Sequence, residues 1–94
     1  MSNLERKRFS ILTKDLTRCY ICGLPKQDIH EIYEGAKRIA SMKHGCCLPV
    51  CRIHHILLHN DRSFALKYKE MCQKEFEKNS TREDFIKIFK RSYL

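Results

Sequence analysis

The chain has 94 residues, of which 43% are hydrophobic, and a formal net charge of +8 at pH 7. This length predicts a single domain, 1–94, whose small apolar core favours an additional constraint such as a metal or a partner. No run of 18 apolar residues and no apolar N-terminal segment occurs, so we expect a cytoplasmic protein without a membrane partner. The excess of Lys and Arg favours nucleic acid as the partner.

Six cysteines occur in this chain, and no export signal precedes them. Disulfides form mainly in oxidising compartments, whereas thiols in a reducing compartment commonly bind metals. The cysteines therefore indicate a metal site rather than a disulfide framework.

The N-terminal part of the chain combines basic residues with scattered apolar ones up to Arg18, which predicts an arm or a short helix. Cys19 and Cys22 follow, and then Gly23 and Pro25. Two cysteines at this spacing next to turn-forming residues are typical of a tight turn that holds one ion, a zinc knuckle.

Two short strands are predicted after the knuckle. Residues 28–33 alternate between apolar and polar side chains, and residues 47–50 form a second extended run, so together they predict an antiparallel hairpin. The connection from Glu34 to Cys46 is longer than a tight turn requires and carries a basic cluster, to which no helix is assigned. Long connections in small domains are often functional.

Three helices are predicted after the second strand. The first covers about residues 52–58 and breaks near Asn60, and Asp61 can cap the next helix. The apolar stripe of that second helix consists of Phe64, Tyr68, Met71, Cys72 and Phe76. A capping box of Ser80 and Glu83 predicts the start of the last helix. Its apolar positions are Phe85, Ile86, Ile88, Phe89 and Tyr93.

Two pairs of soft ligands have the spacing of a structural zinc site. They are Cys19-x-x-Cys22 and Cys51-x-x-His54. One Zn²⁺ held by both pairs would join two segments of the chain and stabilise the fold. The alternative is a set of ordinary buried thiols with a surface histidine.

Three further cysteines bear on this ligand set. Either Cys46 or Cys47 could replace Cys51, although only Cys51 has a histidine three residues later. Cys72 lies in a helical apolar stripe and is predicted to be a packed thiol.

A second cluster consists of histidines. His55 and His59 are four residues apart, so a helix would project both imidazoles from one face, where they could bind one divalent ion. His30, on the first predicted strand, either faces the same ion or is a core histidine. His54 would point toward the zinc, and we expect His44 to be solvated.

The order of these motifs resembles the HNH, or ββα-metal, endonucleases, and is most similar to a small phage-encoded branch with a zinc knuckle. The resemblance covers residues 19–60, and a helical extension follows over 62–94. It rests on Cys19-x-x-Cys22, His30-Glu31-Ile32, Leu48-Pro49-Val50-Cys51, His54-His55 and His59. It implies an α+β fold: a zinc-stabilised, treble-clef-like ββα-metal core with an N-terminal arm or short helix and two C-terminal helices.

The same resemblance implies an endonuclease that hydrolyses phosphodiester bonds in DNA. The expected product is a nick rather than a double-strand break. If the protein is phage-encoded, we expect it in the cytoplasm of the host cell. It also implies one catalytic divalent ion (Mg²⁺, Mn²⁺, Ni²⁺ or Zn²⁺) beside the structural Zn²⁺. The superfamily's central asparagine is missing, because no asparagine lies between His30 and His59, and Lys37 stands in its loop.

The resemblance implies a role for each residue that matches a position of the family's motif. Cys19, Cys22, Cys51 and His54 match the structural zinc ligands, and His55 and His59 match the catalytic metal ligands. The interpretation favoured from sequence is that His30 is the general base, with Asp28 assisting the metal. In the alternative register, His30 is a third metal ligand and Glu31 occupies the base position.

Basic residues in the connection and at the start of the next helix are candidate phosphate contacts, which position a strand without reading its sequence. They are Lys37, Arg38, Lys43 and Arg52. The alternative function is a non-catalytic zinc module that binds nucleic acid or a protein. The sequence does not predict an oligomeric state.

Overall fold

A two-stranded antiparallel sheet forms the centre of the computed structural model, which describes residues 7–94. Strand β1 is Asp28–Glu31 and strand β2 is Cys47–Val50, with His30 opposite Leu48. The predicted hairpin is therefore present. The first strand ends at Glu31, two residues earlier than expected, because both backbone polar groups of Tyr33 bind the Ser41 hydroxyl instead of a neighbouring strand.

Residues 7–94 contain four α-helices besides the sheet, which makes this a small α+β fold. They are α1 (Arg38–Lys43), α2 (Arg52–Asn60), α3 (Arg62–Glu77) and α4 (Arg82–Phe89). Within the described part of the chain, no helix has the length and apolar character needed to cross a bilayer.

Helix α1 lies in the connection to which the sequence assigned no helix, and it is preceded by a 3-10 turn at Gly35–Lys37. Its six residues are too few to show a helical apolar period, although Met42 is buried. Ser41 is fully buried, accepts the Tyr33 N–H at 3.1 Å and donates to the Tyr33 carbonyl at 2.8 Å. This hydroxyl fixes α1 against the end of β1.

The N-caps of the last two helices agree only in part with the caps predicted from the sequence. Asp61 caps α3 as predicted, since its carboxylate accepts the Phe64 N–H at 3.0 Å. The capping box of Ser80 and Glu83 is wrong: the N-cap is Thr81, whose hydroxyl accepts the Asp84 N–H at 3.0 Å. Ser80 instead donates to the Asp84 carboxylate at 2.9 Å.

An aromatic cluster joins the C-terminal helices to the sheet. The ring of Tyr33 lies 4.5 Å from that of Phe89 and 5.4 Å from that of Phe85, centroid to centroid. Tyr93 was predicted within the last helix but follows it, since Lys90 adopts a positive φ of 71° and reverses the chain. The Tyr93 ring then stacks on Tyr33 at 5.1 Å.

The predicted apolar stripe of α3 faces the core. Tyr68 and Cys72 are buried, and the three remaining positions, Phe64, Met71 and Phe76, pack against the buried cluster. In the last helix Phe85 and Phe89 are buried, whereas Ile86 is exposed on the outer face.

The N-terminal segment is an arm, with no helix among residues 7–18, and the first six residues of that prediction lie outside the described chain. Ser10 donates to the Cys47 carbonyl at 2.7 Å, and the Ile11 N–H donates to the Gly45 carbonyl at 2.9 Å. The Phe9 ring packs directly against Gly45, which has a φ of +69°, so a Cβ at this position would displace the ring. The arm is thereby fixed beside β2.

Candidate metal centres

Three cysteines and one histidine converge at the junction of the knuckle and helix α2. The Sγ of Cys51 lies 3.3 Å from His54 Nδ1 and 3.8 Å from the Sγ of Cys22, and Cys19 Sγ lies 3.7 Å from His54 Nδ1. Zinc bonds of about 2.3 Å to sulfur and 2.0 Å to nitrogen place tetrahedral ligands about 3.5–3.8 Å apart. The cluster could therefore hold a metal such as zinc.

Local backbone structure brings these four ligands together. The Gly23 N–H donates to the Cys19 carbonyl at 2.9 Å, and a positive φ of 80° at Gly23 completes the turn of the knuckle. Cys51 is the N-cap residue of α2, so His54 projects from the first turn of that helix. The knuckle and the helix thus contribute two ligands each.

The thiols of this cluster respond differently to their surroundings. Burial acts to raise the pKa of Cys19, but the backbone N–H groups of Cys51, Cys22 and Ile21 outweigh it and lower the pKa to about 6. The Leu24 N–H favours the Cys22 thiolate, yet burial and the neighbouring sulfurs raise its pKa above the usual value. Since the thiolate is the form that binds metal, a cation here removes the repulsion between these sulfurs.

The other three cysteines do not belong to this site. Cys46 is buried, and its hydrogen bond with Cys72 together with burial raises the pKa of its thiol. Cys47 Sγ donates to the Phe9 carbonyl at 3.1 Å, so neither residue replaces Cys51. Cys72 is fully buried, which confirms the packed thiol.

His30, His55 and His59 form a second group, in which one ligand nitrogen of each residue lies within 4.8 Å of the others. The His30 ring lies 5.3 Å from each of the two helical rings, centroid to centroid, and meets both edge to face. The Nε2 atoms of His55 and His59 are 3.2 Å apart, close to the spacing of two ligands on one tetrahedral ion.

Two carboxylates orient the helical imidazoles. Asp28 Oδ2 lies 3.1 Å from His55 Nδ1, and Glu34 Oε2 lies 2.9 Å from His59 Nδ1. With Nδ1 of each ring bound to a carboxylate, both Nε2 atoms are free to face a common point. Histidines that bind metals almost always donate their second ring N–H to a carboxylate, a backbone carbonyl or a water, which fixes the tautomer and the ring orientation.

His30 differs from its two neighbours in burial. It is 3% exposed, and its Nδ1 has no hydrogen-bond partner among the residues that the structure describes. Burial, followed by the charges of His55, His59 and Lys69, lowers the pKa of His30 to about 3. The imidazole is therefore neutral, which is the form that a metal ligand requires, and an orphaned buried nitrogen fits a site that takes an ion.

Glu31, the candidate base of the alternative register, lines the same pocket of about 400 Å³ as the histidines. Its carboxylate binds the Arg8 guanidinium through both oxygens, and Arg38 Nε lies 3.6 Å from Oε2. The hydrogen bond to Glu31 raises the pKa of Arg8. Glu31 is thus held between two guanidinium groups.

The residues predicted to contact phosphate lie in different parts of the structure. Arg38 lines the histidine pocket, whereas Arg52 binds Asp28 at 2.9 Å, behind His55. Lys37 donates to the Tyr93 hydroxyl at 3.2 Å. Lys43 is exposed at the end of α1.

The expectation of a solvated His44 holds only in part, since the residue is half-buried. Its ring packs 6.0 Å from that of Phe76 and 6.1 Å from that of Phe89, and burial lowers its pKa. The apolar contacts come from helices that follow 30 or more residues later in the sequence, so the local pattern around His44 held no sign of them.

Two residues of the histidine site were missed from sequence. Glu34 orients His59, and Arg8 binds Glu31, yet neither belongs to a motif. A search for one carboxylate per helical histidine would have suggested an acidic residue near β1, and Glu34 follows that strand. Arg8 reaches the site only because the arm packs along β2, which no local signal indicates.

Comparisons of the chain with protein-family models, curated proteins and solved structures found no match. The relationship to HNH endonucleases therefore rests on the motifs of residues 19–60 and stays a prediction. Independently of that resemblance, the structure brings together one Cys/His group and one histidine group, each of which could hold a metal ion.

Proposed function

We propose that this protein is a metal-dependent endonuclease of the HNH type that nicks DNA. The observation that supports this most is the convergence of His30, His55 and His59 in one pocket, with carboxylates behind the two helical rings. The pocket also contains Arg38, a residue suited to bind phosphate.

The three imidazoles would hold the divalent ion together. Sequence favoured His30 as a base, but its position facing both helical histidines and its 3% exposure favour the alternative register, in which it is a ligand. A divalent ion held here would bind a phosphate oxygen and stabilise the negative charge that develops in the transition state. Asp28 and Glu34 keep the His55 and His59 rings in the orientation that this requires.

With His30 as a ligand, Glu31 becomes the proton acceptor. Its carboxylate lines the histidine pocket, and once Arg8 releases one of its two oxygens it would take a proton from the water that attacks phosphorus in line, while the bond from phosphorus to the leaving oxygen breaks. Arg38 lies beside Glu31 and would bind the non-bridging oxygens of the same phosphate. Since one such site contacts one strand, the expected product is a nick.

The test is nicking of supercoiled plasmid by zinc-loaded protein with added Mg²⁺, Mn²⁺, Ni²⁺ or Zn²⁺. We expect Glu31→Gln to lower the rate by about 10²–10⁴-fold, the usual contribution of a general base, while binding of the second ion is retained. We expect His30→Ala to weaken binding of that ion, measured by titration calorimetry. His44→Ala is the control, because it removes a histidine outside the pocket.

Two outcomes would change the assignment. If His30→Ala keeps full affinity for the second ion but loses cleavage, His30 is the base and the role of Glu31 is wrong. If the wild-type protein cleaves neither duplex, single-stranded nor branched DNA with any of these ions, the nuclease proposal fails. A non-catalytic zinc module that binds nucleic acid or protein would then be the better account.

A further inference from the structure

A second cleft adjoins the histidine pocket on the side of α3 and the C-terminal residues. It encloses about 280 Å³ and shares Glu34 and His59 with the histidine site. Three basic side chains, Arg62, Lys69 and Arg91, line it. The cleft therefore continues the histidine pocket along the surface.

Buried contacts hold the C-terminal wall of this cleft in place. Gln73, which is fully buried, accepts the Tyr93 N–H at 2.7 Å and donates to the Ser92 hydroxyl at 2.9 Å. The Tyr93 ring stacks on Tyr33. The backbone of Arg91, the residue just before these anchors, is thus fixed by the fold.

The cations of this wall gather around an aromatic ring. Lys69 places Nζ 5.6 Å from the centroid of the Tyr93 ring, and the guanidinium carbon of Arg91 lies 4.4 Å from it. Lys37, which does not line the cleft, also lies 5.6 Å from this centroid and donates to the Tyr93 hydroxyl. A cation–π contact holds a cation in place without cancelling its charge. The ring thus concentrates positive charge at the edge of the cleft.

No carboxylate of residues 7–94 forms an ion pair with Arg62, Lys69 or Arg91. The acidic residue that lines the cleft, Glu34, is bound to His59. The cleft therefore keeps its positive charge, beside a pocket whose own carboxylates are all paired with Arg or His.

We propose that this cleft binds a backbone phosphate of the DNA strand, adjacent to the phosphate that occupies the histidine site. The inference rests on the proposed function, since it takes the histidine site as the place of cleavage. Arg91 is exposed and Lys69 half-buried, so an incoming phosphate could reach both. Phosphate is favoured over an aromatic base because the Tyr93 ring is covered by Tyr33 on one side and approached by Arg91.

The test compares two double variants that each remove two positive charges. Lys69→Gln with Arg91→Gln removes the cleft cations, and Lys74→Gln with Lys87→Gln removes exposed charges outside it. Binding of a labelled single-stranded oligonucleotide is measured by fluorescence anisotropy over a range of salt, in a His30→Ala background without added divalent ion.

Release of counterions predicts the size of the effect. Each neutralised phosphate contributes about 0.7 to the slope of log K against log salt on single strands, so the cleft variant, which loses one phosphate, should lose about 0.7 in slope and about fivefold in affinity at 0.1 M salt. The control pair should change affinity by less than about threefold, since distant exposed charges are screened. Lys69→Arg with Arg91→Lys keeps the charge and should restore binding to near the wild-type value.

The proposal is overturned if both double variants weaken binding equally, or if the cleft variant binds with wild-type affinity. It is also overturned if the charge-preserving variant binds as weakly as the cleft variant although its thermal unfolding is unchanged. Because the assay measures binding alone, its outcome is separate from that of the nicking assay. A cleft-specific loss of binding in a protein that never nicks plasmid would support phosphate binding by the cleft but reject the nuclease, and with it the adjacent cleavage site.

Discussion

The two ligand groups share helix α2 but differ in ligand type and in access. The Cys/His group has three sulfur ligands, draws two of its four from the knuckle, and includes two buried cysteines. The histidine group has only nitrogen ligands, lines an open pocket, and takes two of its three from α2. His54 and His55 are consecutive, yet they belong to different groups because successive residues on a helix point about 100° apart.

Under the proposed function, this difference gives the two groups separate tasks. A complete four-ligand set with thiolates leaves no position for a substrate and contributes to folding, whereas three nitrogens in a pocket leave positions open. The dependence between them should run in one direction. The Cys/His group fixes the start of α2, so its loss should also remove the histidine site, but loss of a pocket histidine should leave the Cys/His group intact.

The largest effect should follow loss of Cys51. We expect Cys51→Ala to release the metal and unfold the domain, because structural zinc binding is worth about 10–16 kcal/mol of folding free energy in small zinc domains. Zinc content and far-ultraviolet circular dichroism measure both results. Cys47→Ala is the matched control, since Cys47 is a buried thiol outside the ligand group and its loss should leave one zinc per chain. A folded, zinc-loaded Cys51→Ala protein would contradict the folding role.

Loss of His55 should separate the two groups. We expect His55→Ala to keep one zinc and the wild-type melting temperature within a few degrees, because the ring is partly exposed and lies outside the aromatic core. Affinity for the second ion should fall by more than about 100-fold, since even partners of metal ligands contribute 10–100-fold. Calorimetric titration of zinc-loaded protein with Ni²⁺ measures it. Loss of the structural zinc in this variant would show that the groups are not independent.

The carboxylate behind His55 should matter less than His55 itself. We expect Asp28→Asn to weaken binding of the second ion by about 10–100-fold, because the ring loses the charged partner that fixes its orientation. Glu34→Gln makes the same change behind His59 and should have an effect of similar size. If either substitution changes the affinity for the second ion by less than threefold, the orienting role of that carboxylate is rejected.

The Cys/His group could be predicted from sequence because its candidate ligands lie in two local pairs, each within a single turn. The helical histidines were predictable for the same reason, since residues four apart share one helix face. The structure brings each set of side chains together and contains the predicted hairpin, which places His30 beside the helical histidines.

Contacts between distant segments could not be predicted. Helix α1 is held by a buried serine that binds Tyr33, and Arg8 reaches Glu31 through the path of the arm. The position of Tyr93 depends on a positive φ at Lys90, a conformation that a lysine seldom adopts and that its sequence neighbours do not indicate. Each of these features depends on the three-dimensional fold and leaves no periodic pattern in the nearby sequence.

The smallest effect tests a region that touches neither ligand group. Thr81→Ala should lower the free energy of unfolding by about 1 kcal/mol, because it leaves the first turn of α4 without its cap. Ser80→Ala should cost less, since Ser80 contributes an exposed hydrogen bond to Asp84 and no cap. Urea denaturation measures both, and neither variant should change the affinity for either ion. If Ser80→Ala lowers the free energy of unfolding more than Thr81→Ala does, Ser80 is the N-cap residue, as the sequence predicted.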